Sequence, residues 1–411
     1  MTMKILYFNY LYDIYGASLG SAIKPMELFA AMRRLGHEVE MVWFKDQPGG
    51  PPAGTLNRSA RDFLKRNFAF LVHDLRLLLE NRKFARIEAE KTAAFKPDII
   101  IARLDLYLYS ALRTARAFRV PIIIEADSPP LYEAVHFQKQ YWRIPAIPRR
   151  IERRLLRGGD FTVMQSRELQ RYFIDAHDLD AARTAVVCNG ADVDKFSPQE
   201  PDRGLAHRFG LTGGPVLGFI GSMSAWHGIN NLLRIVKAIV ARYPDTRFLL
   251  VGSGGGQEKL IRTYLVKHDL TRHVIQTGYV AHVEIPHYLQ LMDVVLAPYP
   301  NLPFFYYSPV KVFEYMAAGK AVVTTRIGQL ARIIRDGWDG VLCPPGDFDA
   351  FISAISGLLE DPEIARQMGI NARETIIQQH TWKHKALAYE KICQQVITEH
   401  RLRAQEGGSA R

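Results

Sequence analysis

Residues 308–319 of the chain read Ser308-Pro-Val-Lys-Val-Phe-Glu-Tyr-Met-Ala-Ala-Gly319. Serine before proline predicts a helix start, because the hydroxyl caps a free amide and proline fits the first helical position. Gly319 predicts the end of that helix. The apolar runs 293–298 and 320–325 on either side have the composition of strands. The segment therefore predicts a strand, helix, strand unit.

Charged side chains at helical spacing suggest what this unit binds. The free amides of Val310 and Lys311 lie at the positive end of the predicted helix, where a phosphate group is favoured. Lys311 adds a full charge, and Glu314, about one turn further on, can accept hydrogen bonds from the vicinal hydroxyls of a ribose. This pattern indicates a site for a nucleoside diphosphate. A surface helix with a capped start is the alternative interpretation.

The same segment resembles the donor-binding signature of family 4 of the retaining glycosyltransferases, the glycosyl transferases group 1. The resemblance rests on Ser308 to Gly319, on Ala321-Val-Val323, on Asp336-Gly-Trp-Asp-Gly340 and on Pro345-Gly-Asp347. It covers nearly the whole chain and implies an α/β protein of the GT-B fold, with two Rossmann-like doubly wound domains facing across a cleft. The implied reaction moves a sugar from a nucleotide diphosphate donor to a hydroxyl acceptor with retention of configuration.

The resemblance also implies which residues bind the donor. They are Gly221, Ser222, His227, Gly252, Ser308, Pro309, Val310, Lys311 and Glu314. Three positions depart from the family pattern: Tyr306 replaces the first of two glutamates, and Ser222 and His227 replace the usual arginine and lysine of the diphosphate site. These replacements leave the donor base and sugar open. Lys311 is expected to supply the missing positive charge, and no metal or other cofactor is expected.

Composition bounds the remaining possibilities. The 411 residues include 48% hydrophobic residues, enough for two or three domains with large cores. Three cysteines, far apart in sequence, indicate neither a disulfide framework nor a zinc site. The start of the chain has the pattern of a strand rather than a signal peptide, and no window has the length of an apolar membrane span. A cytoplasmic location, with contact at the inner membrane face as a possibility, is the expectation.

Strand and helix patterns alternate twice along the chain, which is typical of doubly wound sheets. We expect an acceptor-binding domain at 1–198, a donor-binding domain at 199–380, and a C-terminal helix with a frayed tail at 381–411 that crosses back to the first domain. Gly16 and Gly20 lie in a loop after the first predicted strand. The resemblance implies that this loop lies close to the acceptor and to the diphosphate of the donor. Asp127 and Glu125 lie at the end of a later strand and are the candidate catalytic residues, with an ordinary polar loop as the alternative interpretation.

Two segments are strongly basic and contain interleaved apolar residues, at 58–86 and 136–157. Such segments suit an anionic membrane surface, and they raise the possibility of a lipid-linked or saccharide acceptor in cell-envelope polysaccharide or glycolipid synthesis. A solvated helical face is the alternative. No nucleic-acid partner is expected, because no recognised nucleic-acid-binding motif accompanies the charge.

Two other functions are compatible with the sequence. A nucleotide-sugar epimerase of the same fold would bind a donor without an acceptor. A non-catalytic basic protein that binds membrane or nucleic acid would use the Rossmann-like halves only as a scaffold. The donor signature is more specific than the basic segments, so a glycosyltransferase is the favoured interpretation.

Overall fold

The structure of the chain is a computed structural model that describes residues 2–10, 19–44, 58–137, 146–211 and 213–409. Within these ranges, the side chains at 19–21, 58–74, 76, 77 and 407–409 are outside the description. The chain divides into two units, the first formed by residues 1–188 and 386–411 and the second by residues 189–385. The segment 386–411 therefore groups with the N-terminal residues.

The first unit is built on a parallel sheet of six strands, in the order β2-β1-β3-β4-β5-β6. Its strands are β1 (Lys4–Asn9), β2 (Glu38–Trp43), β3 (Ile99–Arg103), β4 (Ile122–Ala126), β5 (Phe161–Met164) and β6 (Thr184–Val186). Its helices are α1 (Leu19–Arg34), α2 (Arg58–Phe95), α3 (Ser110–Phe118), α4 (Pro130–His136), α5 (Ala146–Gly158) and α6 (Arg167–His177). Strands β3 and β4 are buried along their whole length, as expected for central parallel strands covered on both faces.

The second unit has its own parallel sheet of six strands, in the order β12-β11-β10-β7-β8-β9. These strands are β7 (Val216–Ile220), β8 (Arg247–Val251), β9 (Val274–Gly278), β10 (Val294–Ala297), β11 (Ala321–Thr325) and β12 (Val341–Cys343). The helices of this unit are α7 (Arg203–Arg208), α8 (Ile229–Arg242), α9 (Glu258–Lys267), α10 (Ile285–Gln290), α11 (Val310–Ala317), α12 (Leu330–Ile333), α13 (Phe348–Glu360) and α14 (Pro362–Gln379). The last helix, α15 (Trp382–Ser409), begins in this unit and continues into the first.

The strand order of the second unit indicates where along the sheet a ligand is expected to bind. From the middle of the sheet, β7, β8 and β9 follow one another toward one edge, and β10, β11 and β12 follow one another toward the other edge. The order therefore reverses between β7 and β10. In open parallel sheets, ligands bind beyond the carboxyl ends of the strands at such a switch point. The core beneath this edge is apolar and includes Phe219 of β7 and Leu296 of β10, both fully buried.

The predicted alternation of strands and helices is confirmed, and most boundaries agree within one or two residues. Four features of the structure differ from what the sequence predicts. The two units divide after Cys188, not after residue 198, because the turn segment that follows hydrogen-bonds to the second unit. Gly20 lies in the first turn of α1 instead of in a loop, while Gly16 is outside the described residues. Strand β12 has no counterpart among the predicted strands, and α15 continues to Ser409, into the segment for which a frayed tail is predicted.

No helix formed by the described residues has the length and apolar character needed to cross a bilayer.

Candidate active site

The loops after β7 and β10 meet at the switch point of the second sheet. Gly228 follows the one-turn 3₁₀ helix Ala225–His227 and has a φ of +85°. A Cβ atom at this position would lie 1.9 Å from the carbonyl oxygen of Pro298, which follows β10. Only glycine allows this approach of two backbones. The residues of the first loop are thereby held beside the segment that leads to α11.

Gly252, after β8, likewise allows two backbone segments to lie close together. It has a φ of +127°, and an added Cβ would lie 2.2 Å from the carbonyl oxygen of Gly221. The amide of Gly221 donates to Val251 and that of Gly252 donates to Gly278. Both predicted donor-site glycines are therefore present at the carboxyl edge of the sheet, where they shape the backbone.

Lys311 reaches under this backbone from the first turn of α11. Its Nζ atom lies 4.1 Å from the ring centre of Phe219 and 5.3 Å from that of Tyr299. An added Cβ on Gly221 would lie 3.3 Å from Nζ. Although the stem of the side chain is partly exposed, Nζ is buried and has no hydrogen-bond partner in the part of the chain that the structure describes. Burial lowers the pKa of Lys311 from its usual 10.5 to about 7.

His227 lies next to this ammonium group. Burial and the charge of Lys311 lower the pKa of His227 to about 3, and the hydrogen bond with the Ser222 carbonyl opposes them. The imidazole is therefore neutral near pH 7. Its Nδ1 atom is 2.9 Å from the hydroxyl of Ser222, which is 2.9 Å from the hydroxyl of Ser224. The residues that replace the family's basic pair thus form a neutral hydrogen-bonding group, and Lys311 is the nearby cation.

The start of α11 differs from the expectation. The helix begins at Val310, Pro309 takes the cap position, and no side chain in the described part of the chain caps its first turn. The Ser308 hydroxyl instead accepts a hydrogen bond of 2.9 Å from the backbone N–H of Asn189, whose side-chain amide donates to the Ser308 carbonyl. The predicted cap is therefore wrong, because the hydroxyl is engaged by the turn segment after Cys188.

Glu314 is buried one turn into α11, with 6% of its surface exposed. Its Oε1 atom lies 2.6 Å from Nε2 of His282, which precedes α10. This histidine could not be predicted from the sequence, because 32 residues separate the two positions and no motif connects them. Lys311 and Glu314 are thus brought to one helix end, as the spacing predicted.

The carboxylates predicted in the first unit form a buried charged network. Glu125 is the next-to-last residue of β4 and is fully buried; it accepts hydrogen bonds from the hydroxyls of Tyr7, at 2.9 Å, and Tyr389, at 2.8 Å. Lys24 of α1 lies 3.0 Å from Glu125 and also contacts Asp127. With both oxygens engaged, Glu125 connects α15 to the sheet, and its catalytic role stays a prediction.

Asp127 follows β4 and is 6% exposed. Besides Lys24, it accepts a hydrogen bond of 3.0 Å from Arg103, the last residue of β3. Burial would raise the pKa of Asp127, but Lys24 and Arg103 together outweigh it and hold the pKa below its usual value. Asp127 is therefore an ionised carboxylate at the carboxyl edge of the first sheet. The sequence identified this carboxylate but not its two cations.

Two further parts of the signature have structural functions. Tyr306, which replaces the family glutamate, is 1% exposed, and its ring lies 4.2 Å from that of Tyr307 and 5.2 Å from that of Phe304. Asp339 of the Asp-Gly-Trp-Asp-Gly motif is fully buried and accepts hydrogen bonds from Arg335 and Thr375. The motif shapes the turn into β12.

The fold and this edge define a class of protein: a pair of Rossmann-like domains, one of which presents a cation and a carboxylate at its switch point. Residues 20–190 match the family described as "Glycosyl transferase 4-like domain", and residues 214–361 match "Glycosyl transferases group 1". The chain therefore belongs to the group 1, or family 4, glycosyltransferases. It is a retaining glycosyltransferase that uses nucleotide-sugar donors.

Similar curated proteins include several glycosyltransferases. The chain is 24% identical over 302 residues to "Glycogen synthase" of Mycobacterium tuberculosis, covering 73% of this chain and 69% of that protein. It is 26% identical over 275 residues to "GDP-mannose-dependent alpha-(1-6)-phosphatidylinositol monomannoside mannosyltransferase" of Mycolicibacterium smegmatis, covering 64% and 69%.

Solved structures show the same fold. Sucrose-phosphate synthase from Thermosynechococcus elongatus superposes with a TM-score of 0.74 at 20% identity, covering 97% of this chain and all of that one. Anabaena Alr3699/HepE in complex with UDP and glucose superposes with a TM-score of 0.66 at 19% identity, covering 95% and 98%. The GT-B fold predicted from the sequence is thereby confirmed.

Proposed function

We propose that the carboxyl edge between β7 and β10 holds the diphosphate of a nucleotide sugar against Lys311 and its ribose against Glu314. The observation that carries this proposal is the Nζ atom of Lys311, which is buried without a hydrogen-bond partner in the described residues. A buried ammonium group without a hydrogen-bond acceptor is costly even where it lies over the rings of Phe219 and Tyr299, and an anion is the ligand that would compensate it. The uncapped first turn of α11 favours the same anion.

These groups suit a leaving diphosphate. In the proposed step, the bond between the anomeric carbon and the diphosphate oxygen breaks, and the acceptor oxygen forms the new bond on the same face of the sugar. The acceptor proton passes to the leaving diphosphate. Lys311 and the amides of α11 stabilise the negative charge that develops there. Neutral His227 and Ser222 contribute hydrogen bonds without further charge.

We assign Asp127 to contact with the donor sugar or the acceptor. It is ionised, it follows a strand at the carboxyl edge of the first sheet, and Lys24 and Arg103 fix its position. Glu125, with both oxygens occupied, is the positioning alternative through Lys24, which it shares with Asp127.

For the acceptor, we propose a lipid-linked molecule at an anionic membrane surface, as in glycolipid or cell-envelope polysaccharide synthesis, on its cytoplasmic face. Helix α5 exposes five arginines to solvent, while its apolar side chains Leu155 and Leu156 are buried. The exposed arginines are Arg149, Arg150, Arg153, Arg154 and Arg157. Each basic side chain near an anionic leaflet contributes about 1 kcal/mol, so five give reversible attachment. The mannosyltransferase relative, named for a phosphatidylinositol monomannoside, supports a lipid acceptor.

A thermal-shift panel tests donor binding. UDP, GDP and ADP, each alone and as the glucose conjugate, are added to the wild-type chain and to Lys311→Ala and Glu314→Gln. Exposed residues of α9 supply matched controls, Lys259→Ala and Glu258→Gln. We expect at least one nucleotide to raise the melting temperature of the wild type by mass action. Both site variants should weaken its binding by about tenfold or more, while both controls bind normally. Equal binding by all five proteins would refute the assignment.

A further inference from the structure

Three side chains form a continuous line that ends at the proposed ribose carboxylate. Nζ of Lys195 lies 2.8 Å from Nδ1 of His282, and Nε2 of His282 lies 2.6 Å from Oε1 of Glu314. The side chains of His282 and Glu314 are 18% and 8% exposed. The three residues come from a turn, from the segment before α10 and from α11.

The chemistry of the lysine fixes the direction of these hydrogen bonds. An ammonium group has only donors, so Nδ1 of His282 accepts from Lys195. The ring proton of the neutral imidazole is then on Nε2, which donates to Oε1 of Glu314. Lys195 thereby selects the tautomer, and the imidazole holds one oxygen of the carboxylate.

The turn that carries Lys195 is itself anchored. Arg373 of α14 donates to the carbonyl oxygens of Phe196, at 2.9 Å, and Val193, at 3.1 Å. The ring of Phe196 lies 5.4 Å from the ring of His282. The imidazole is therefore held on one side by the Phe196 ring and at its two nitrogens by Lys195 and Glu314.

We propose that His282, oriented by Lys195, is a positioning residue for Glu314. This inference rests on the proposed role of Glu314 in ribose binding. Oε2 of Glu314 accepts no hydrogen bond within the described part of the chain. With Oε1 fixed by His282, Oε2 is held in one orientation for the 2′ and 3′ hydroxyls of the ribose. A carboxylate fixed beforehand loses less conformational freedom when the ligand binds.

Ribose selectivity tests this proposal. The dissociation constants of UDP, GDP and ADP, and of their 2′,3′-dideoxy analogues, are measured by calorimetry for six proteins. These are the wild type, Glu314→Gln, Lys195→Met, His282→Phe, the double variant Glu314→Gln/His282→Phe, and His282→Gln, in which the glutamine amide can replace the Nε2 donor. We expect the wild type to prefer one ribonucleotide over its dideoxy analogue by about tenfold or more. His282→Phe should lose most of this preference, and His282→Gln should keep most of it. Lys195→Met should show a partial loss.

The outcomes distinguish the role of His282 from the ribose site itself. A purely structural role of His282 would lower the affinities for the ribonucleotide and its dideoxy analogue equally and leave their ratio unchanged, which would overturn the inference. If Glu314→Gln abolishes the preference while His282→Phe keeps it, the inference fails and the ribose site stands. If the wild type and Glu314→Gln show no preference, the ribose site itself is wrong. A Glu314→Gln/His282→Phe double variant whose loss of preference equals that of Glu314→Gln alone supports action through Glu314.

Discussion

Binding of the donor diphosphate should be coupled to proton uptake by Lys311. Burial gives this lysine a pKa of about 7 in the free protein. A diphosphate next to Nζ favours the charged form and raises the pKa in the complex. The contribution of Lys311 to binding is therefore fully present below pH 7 and is lost as pH rises through the pKa of the complex. Uptake at this residue should be about 0.1 proton at pH 6 and about 0.9 proton at pH 8.

Calorimetry in two buffers of different ionisation enthalpy measures this uptake. The titrations use the nucleoside diphosphate that gives the largest thermal shift, at several pH values between 6 and 8.5. Lys311→Met serves as the reference, because the phosphate groups of the ligand also titrate and do so in both proteins. We expect the wild type to take up more protons than Lys311→Met by about 0.8 or more at pH 8. The affinity of the variant should be lower by about 10-fold to 100-fold at pH 6, where the lost group is a charged donor.

The same substitution should stabilise the free protein. In the absence of ligand, the folded chain must either bury the charged amine or release its proton, and both cost free energy. Lys311→Met removes this cost and keeps the apolar stem, so its melting temperature without nucleotide should rise by about 2 °C or more at pH 7. A variant that loses both stability and affinity, with unchanged proton uptake, would refute the assigned role of Lys311.

Three further predictions concern the first unit. Tyr389→Phe removes a donor from buried Glu125 and should lower the free energy of unfolding by about 1 to 3 kcal/mol, measured by urea denaturation; an unchanged midpoint would contradict the network. Asp127→Asn should lower kcat by tenfold or more at saturating donor, while the affinity for the nucleoside diphosphate stays within a factor of three. Unchanged kcat would show that Asp127 is not part of the active site. Changing four arginines of α5 to glutamine, Arg149, Arg150, Arg153 and Arg154, should abolish flotation of the protein with anionic vesicles at low salt. The control variant carries the same change at four exposed arginines of the second unit, Arg203, Arg208, Arg242 and Arg262, and should still float. Equal flotation of both variants would argue against membrane binding by α5.

The elements of the fold could be predicted because their hydrophobic patterns are local. Continuous apolar runs such as 294–297 and 321–325 predict buried parallel strands, and both are strands in the structure. The signature helix could be placed to within a residue for the same reason. Strand β12 could not be predicted, since a run of only three residues carries too little hydrophobic pattern.

The site could be predicted only as far as local spacing reaches. Lys311 and Glu314 are three residues apart on one helix, so their proximity follows from helical geometry. His282 and Lys24 are far in sequence from the carboxylates they contact, and only the tertiary fold brings them together. The cap at Ser308 was predicted wrongly for a related reason, because Asn189, distant in sequence, competes for the hydroxyl.

The position of a bound nucleotide is the most direct test of the donor site. A crystal structure of the chain with the nucleoside diphosphate that stabilises it most should show a phosphate oxygen about 2.7 to 3.2 Å from Nζ of Lys311. The ribose hydroxyls should face Oε2 of Glu314, at the carboxyl edge between β7 and β10. A nucleotide bound elsewhere, or one in this place whose phosphates leave Nζ of Lys311 without a partner, would refute the proposed donor site.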